Sequence, residues 1–109
     1  MTVVLMIDGL CDDLTEAGLE PGEIAALRWG DVDWLRGRLN VDVTLIPGPQ
    51  PVLTNSSRPR AVTASWDLLR ALEAQRRLLV AAGAGDGDAR FVFPNLAASP
   101  AGGMPTPSG

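Results

Sequence analysis

Apolar residues recur along this chain at two periods, and the places where the period changes mark its elements. From residue 3 to 17, Leu5, Met6, Leu10 and Leu14 lie within about 100° of one another on a helical projection, with the acids largely elsewhere. This predicts an amphipathic helix, weakened at Gly9 and closed by Gly18. Pro21 then stands where a first helical residue belongs, Glu23 follows in the first turn, and Ile24 and Leu27 share a face. A short second helix is therefore predicted over Pro21 to Arg28, with Gly30 as its stop.

After the polar turn WGDVD the period becomes two. Leu39, Val41, Val43 and Leu45 alternate with Asn40, Asp42 and Thr44, the signature of a half-buried strand over Arg38 to Leu45. The Pro- and Gly-rich IPGPQP is a loop, Val52 to Thr54 a short strand, NSSRP a turn, and Arg60 to Thr63 a third strand. Helical spacing returns after Ser65, a predicted N-cap. Leu68, Leu69, Leu72, Leu79 and Val80 form an apolar stripe running to about Ala82, where Gly83 stops it. GAGDGD reads as a flexible linker and FVF as a buried extended anchor. The fold class predicted is α+β, mainly helical, with a small three-stranded antiparallel sheet. One domain over 1–93 is followed by a Pro/Gly/Ser-rich tail, 94–109, expected to lack fixed structure.

With 109 residues there is room for one small core, and aromatics are so few that Leu, Val, Ile and Ala must supply it. Charge is unevenly spread. Residues 1–27 carry six acids and no base, residues 28–77 carry eight arginines against five acids, and the chain as a whole is at -4. That balance argues against a free-standing nucleic-acid binder, while the basic middle can still face phosphate. Cys11 has no second cysteine to pair with and no histidine to activate it, so it reads as a small apolar residue in a reducing cytosol. The apolar run Val3 to Ile7 is too short for a membrane span and has no basic flank, so neither an anchor nor a signal peptide is expected. A cytoplasmic location follows.

The chain is organised around AGLEPGEIAALRWGDVD, residues 17–33. Gly18, Leu19, Gly22 and Glu23 form a Gly-Leu-x-x-Gly-Glu box, and Leu27 to Asp33 continue it as Leu-Arg-Trp-x-Asp-Val-Asp. With the strand, the hairpin carrying SSRPRAV, the long helix and FVFP, this order resembles the first half of the catalytic domain of the phage-integrase, or tyrosine recombinase, family. The resemblance implies a partial recombinase-like catalytic domain over 1–93 and an ancestry in DNA integration and recombination. That family attacks a DNA phosphodiester with a tyrosine, assisted by two arginines, a hairpin lysine and histidine-type residues that stabilise charge on phosphorus or move protons.

Carried over residue by residue, the catalytic set is not met. The family's first arginine directly follows the Gly-Leu pair, and here that position is Glu20. Exchanging +1 for -1 about 4 Å from a phosphate charge shifts the interaction by about 8 kcal/mol at an effective dielectric near 20. That is about five or six powers of ten in rate. The hairpin lysine falls at Leu53, and the chain holds no Lys, His or Tyr. No catalytic residue is therefore assigned, and strand cleavage by this chain alone is not expected.

Arg58 and Arg60 on the hairpin are the candidate DNA-backbone contacts, giving weak binding. Arg28 is a surface or ion-pair residue, Glu23 a structural first-turn residue, and Trp29, Trp34 and Trp66 packing residues. Asp31 and Asp33 lack a third ligand nearby and read as turn formers, so neither metal nor cofactor is expected. Two other readings exist. In one, the chain is a decayed remnant or protein-interaction module whose acidic first third, or the apolar surface of its half-domain, is covered by a partner. In the other, Glu23 to Leu27 and Asp31 to Leu39 are the two helices of a DNA-binding helix-turn-helix.

Overall fold

The fold is given by a computed structural model, which describes residues 7, 9–85, 87–94 and 96. Helix α1 spans Leu10–Glu16 and α2 spans Pro21–Ala26. A 3-10 turn at Trp29–Asp31 leads into strand β1, Val32–Asp33. Strands β2, Arg38–Ile46, and β3, Val52–Thr63, form a hairpin, and α3 spans Trp66–Ala81. Among the described residues the result is a small α+β domain of three helices and one antiparallel sheet ordered β1-β2-β3. Helix and strand take comparable shares among the described residues.

Each helix boundary has a local cause. Gly9 sits in the left-handed region at φ 80° immediately before α1, which fixes the observed start at Leu10; residues 3–6 and 8 of the predicted span lie outside the described residues. Gly18, at φ 109°, takes the left-handed turn that closes α1, a conformation L side chains rarely adopt. Helix α2 ends at Ala26 rather than Arg28. Beyond it the backbone pairs with the FVF segment: Val92 N donates to Leu27 O at 2.9 Å, Trp29 N donates to Arg90 O at 3.0 Å, and Arg28 bridges Phe91. Tertiary pairing thus ends this helix, and Gly30 falls inside the 3-10 turn. For α3 the prediction holds: the Ser65 side chain accepts from Leu68 N, and Gly83 follows the last turn at φ 82°.

The sheet departs from its prediction in an instructive way. The segments 52–54 and 60–63 are not separate strands joined by an NSSRP turn but one strand, β3, and the third member of the sheet is β1. The register explains why. Val43 lies opposite Asn55 and Val41 opposite Arg60, so Ser56 to Pro59 stand against Asp42 alone, as a large bulge. Pro59 has no N–H to give the ladder, and a bulge is where a strand tolerates that loss. The helix-turn-helix reading is excluded by the same elements. Its second helix would occupy Asp31 to Leu39, which is instead 3-10 turn, β1, a turn through Gly37 at φ 67° and the start of β2. Strand alternation won over helix propensity there.

The main core joins Leu10 and Leu14 of α1, Leu68, Leu72 and Leu79 of α3, Leu39 and Val41 of β2, and the anchor Val92–Phe93, which is fully buried. Within α3 the stripe runs through Gln75 and leaves Val80 49% exposed. Gln75 is fully buried but not idle. Its Oε1 accepts from Ile7 N at 2.8 Å and its Nε2 donates to Val92 O at 2.9 Å, stitching both flanking segments to α3. The predicted linker is tied in at its end, where Gly30 N donates to Asp88 O. The predicted tail lies outside the described residues except at Pro94 and Leu96. Among the described residues no helix is long and apolar enough to cross a membrane.

A smaller cluster of Ala25, Ala26 and Leu45 holds α2 against β2, and its spacing depends on Gly22. A Cβ at that position would lie 2.7 Å from Leu45 O and closer still to Thr44 Oγ1. Because a backbone carbonyl cannot swing aside, Gly22→Ala must push α2 off the sheet. Denaturant unfolding is expected to show a loss of about 1–3 kcal/mol for this variant, the usual range for overpacking.

Candidate functional site

Where α2 starts, the backbone must turn from the left-handed Gly18 into a helix, and the first amides of that helix need acceptors. Glu23, at the third helical position, supplies one by reaching back: its Oε1 accepts from Glu20 N at 2.9 Å. This holds the carboxylate against the sheet rather than in solvent, with only 1% of the side chain exposed. A buried carboxylate requires partners, and β3 provides them.

The bulge in β3 determines which residues those are. Val41 is buried, so Arg60, directly opposite it, lies on the same inward face of the sheet. Arg60 grips Glu23 with two parallel bonds, Nη1 to Oε2 at 2.9 Å and Nη2 to Oε1 at 3.0 Å. The same nitrogens donate to Arg58 O at 2.7 Å and to Gly18 O at 2.6 Å. From inside the bulge, Ser56 Oγ donates to Glu23 Oε2 at 2.5 Å and accepts from Arg58 N. The Glu23 carboxyl is held down to about 2, chiefly by the Arg60 guanidinium against the opposing effect of burial, with Glu20 N–H and Ser56 O–H adding to the effect. Arg60 is correspondingly pushed up, mainly by Glu23.

This geometry separates the two arginines expected to meet DNA. Both terminal nitrogens of Arg60 are committed to Glu23 and two carbonyls, so its fork faces inward and works as a clamp. Arg58 is exposed on the bulge and presents its side chain to solvent. Glu20, where the resembled family carries its first arginine, is exposed beside this network, close enough for its charge to act on Arg60. Leu53, in the lysine's register, pairs with Leu45 and is 39% exposed.

The remaining sequence candidates have structural partners. The Arg28 guanidinium lies 5.2 Å from the centre of the Phe91 ring. Asp31 accepts from Arg28 N and Asp33 from Arg36 N, so both carboxylates hold turns; burial raises the Asp31 carboxyl, and the Arg36 N–H lowers that of Asp33. Trp29 is buried and stacked on Trp34, with ring centres 6.4 Å apart, whereas Trp66 is 74% exposed and packs little, against expectation. Cys11 is half-buried at the edge of an apolar cleft of about 390 Å³ shared with Ile24, Ala25, Leu45 and Leu96, and burial pushes its thiol up. Among the described residues no group of three or more His, Cys, Asp or Glu is placed to hold a metal ion.

Sequence reasoning took Glu23 as structural but missed Ser56 and the inward turn of Arg60. The available signal was Pro59, since a proline inside an otherwise alternating strand marks a bulge, and a bulge changes which face the following residues occupy. No protein-family profile matches this sequence, and no curated protein and no solved structure is significantly similar to it.

The clamp makes stability depend on acid. With the folded Glu23 carboxyl near 2 and an ordinary value of 4.5, its contribution is fully present above about 4.5 and is lost as the pH falls through about 2. The loss is at most about 3 kcal/mol, and smaller to the extent that water reaches the 24%-exposed Arg60 side chain. Denaturant titrations across this range should show that decline, and Glu23→Gln should flatten it. Arg60→Ala, which strands a buried carboxylate, should destabilise strongly at neutral pH, whereas Arg58→Ala should stay within about 0.5 kcal/mol.

Proposed function

We propose that this chain is a degenerate relative of the first half of the tyrosine-recombinase catalytic domain, of DNA integration and recombination ancestry, that binds DNA weakly and does not cleave it alone. The observation that carries the reading is the box from Gly18 to Asp33. Its Gly-Leu-x-x-Gly-Glu and Leu-Arg-Trp-x-Asp-Val-Asp pieces sit at a joint spacing that resembles the family's, on a helix packed against a β-hairpin. The arrangement keeps a scaffold and lacks the chemistry. An exposed carboxylate, Glu20, stands where a cation would have to meet phosphate, and there is no tyrosine to attack phosphorus and no lysine or histidine to assist. The domain works in the cytoplasm on this reading, with Cys11 reduced.

Weak contact with the DNA backbone falls to Arg58, while Arg60 holds the bulge from which Arg58 projects. Contact through Arg58 alone, on a chain of charge -4, gives binding that only low salt reveals. A second reading, that of a protein-interaction module, is favoured by one observation: two large apolar side chains, Leu35 and Trp66, are left 92% and 74% exposed.

Two measurements test this. Incubation with a nicked suicide substrate should yield no covalent protein–DNA adduct; an adduct overturns the inactivity. Titration of a labelled duplex at low salt should show weak binding whose salt slope falls by about one on Arg58→Ala. Absence of binding at low salt rejects the DNA reading in favour of the interaction module.

A further inference from the structure

Among the described residues strand β3 pairs on one side only, since the sheet is ordered β1-β2-β3. From Val52 to Asn55 every residue is exposed, and among the described residues no backbone hydrogen bond reaches this stretch from outside the hairpin. Alternate N–H and C=O groups along such an edge point away from the sheet, and only another extended backbone satisfies them as a row. Exposed edges are usually blunted by charge, proline or a bulge. Here those devices stand only at the ends, with Pro51 before the stretch and the bulge carrying Arg58 and Pro59 after it. Between them, Val52 to Asn55 contains no charge and no proline.

The partner that fits this edge best is the edge itself. Two copies of a chain at -4, with acids crowded into residues 1–27, repel over much of their surface, but Val52 to Ser57 brings no charge to the contact. Antiparallel pairing about a two-fold axis through Thr54 sets Thr54 against its own copy, Leu53 against Asn55 and Val52 against Ser56. In that register Arg58 falls opposite Gln50, not opposite a second arginine. Threonine opposite threonine is a favourable cross-strand pair, and a two-fold makes the contact self-complementary. The exposed pair Ile46 and Val52, opposite each other at the hairpin end, would border this seam on both sides.

We propose that two copies of this chain associate by joining their β3 edges antiparallel through Val52 to Ser56, forming one continuous sheet. The contact is short, below the roughly 1,200 Å² typical of stable complexes, so the dimer is weak and reversible. It rests on the sheet edge alone and does not depend on the recombination reading.

Sedimentation equilibrium of the full chain, from about 10 µM to about 1 mM, should show a reversible monomer–dimer equilibrium. Thr54→Lys places two like charges face to face and should weaken association at least about tenfold without changing the thermal midpoint appreciably. As a geometric check, Cys11→Ser with Thr54→Cys should oxidise to a disulfide-linked dimer, because facing Cα atoms in an antiparallel pair are about 4.5–5.5 Å apart. Cys11→Ser with Arg77→Cys, on the exposed face of α3, should not. The proposal is overturned if the chain stays monomeric throughout, if Thr54→Lys associates as the unaltered chain does, or if Arg77→Cys cross-links as readily as Thr54→Cys.

Discussion

The burial of one carboxylate, Glu23, constrains more of this structure than any apolar contact does. An ionised acid removed from water must find charge and hydrogen bonds from elsewhere in the chain, or it will not stay ionised or not stay buried. Here the partners come from three places. Glu20 N–H is three residues away, Ser56 and Arg60 lie on the sheet more than thirty residues later, and the Gly18 and Arg58 carbonyls complete the guanidinium. A helix, a loop and a strand bulge are thereby fixed to one another at a point where the apolar cluster is small.

Features that look unrelated in the chain become conditions for this clamp. Gly22 lets α2 approach Thr44 and Leu45 closely, so the carboxylate reaches the sheet. The bulge from Ser56 to Pro59 changes the facing of β3, so an arginine, rather than the residue beside it, points inward. Replacing such a pair with apolar residues of similar volume often leaves stability unchanged or higher, whereas removing one partner is costly. Its value here is best described as positional. It sets the height of the helix start over the hairpin, and with it the place of Arg58 and Glu20 on the surface.

Much of the fold was legible because local signals agreed: Ser65 and Gly83 bracket α3, alternation from Leu39 to Leu45 marks β2, and Val92 and Phe93 of FVF are buried as their apolar character implies. What was illegible arose from long-range pairing. The end of α2 is set by segment 90–92, and β1 exists only because β2 lies alongside it. The candidate site was legible in its residues and not in its orientations. Arg58 and Arg60 are two apart on a strand, and alternation alone would send them to one face. The bulge separates them, and no local propensity reveals which one turns in.

The tryptophans have a consequence of a different kind. With no tyrosine in the chain, essentially all its near-ultraviolet absorption and emission belong to three indoles, and these sit at three depths: Trp29 buried, Trp34 at 40% exposure and Trp66 at 74%. Trp29 and Trp34 lie within 13° of parallel, close enough for their transitions to couple, and the indole N–H of Trp29 is buried without an acceptor among the described residues. The domain therefore carries its own optical gauge. A quencher in solution reads the exposed end of α3 first, while the coupled pair reports whether the turn that joins α2 to the sheet is still closed.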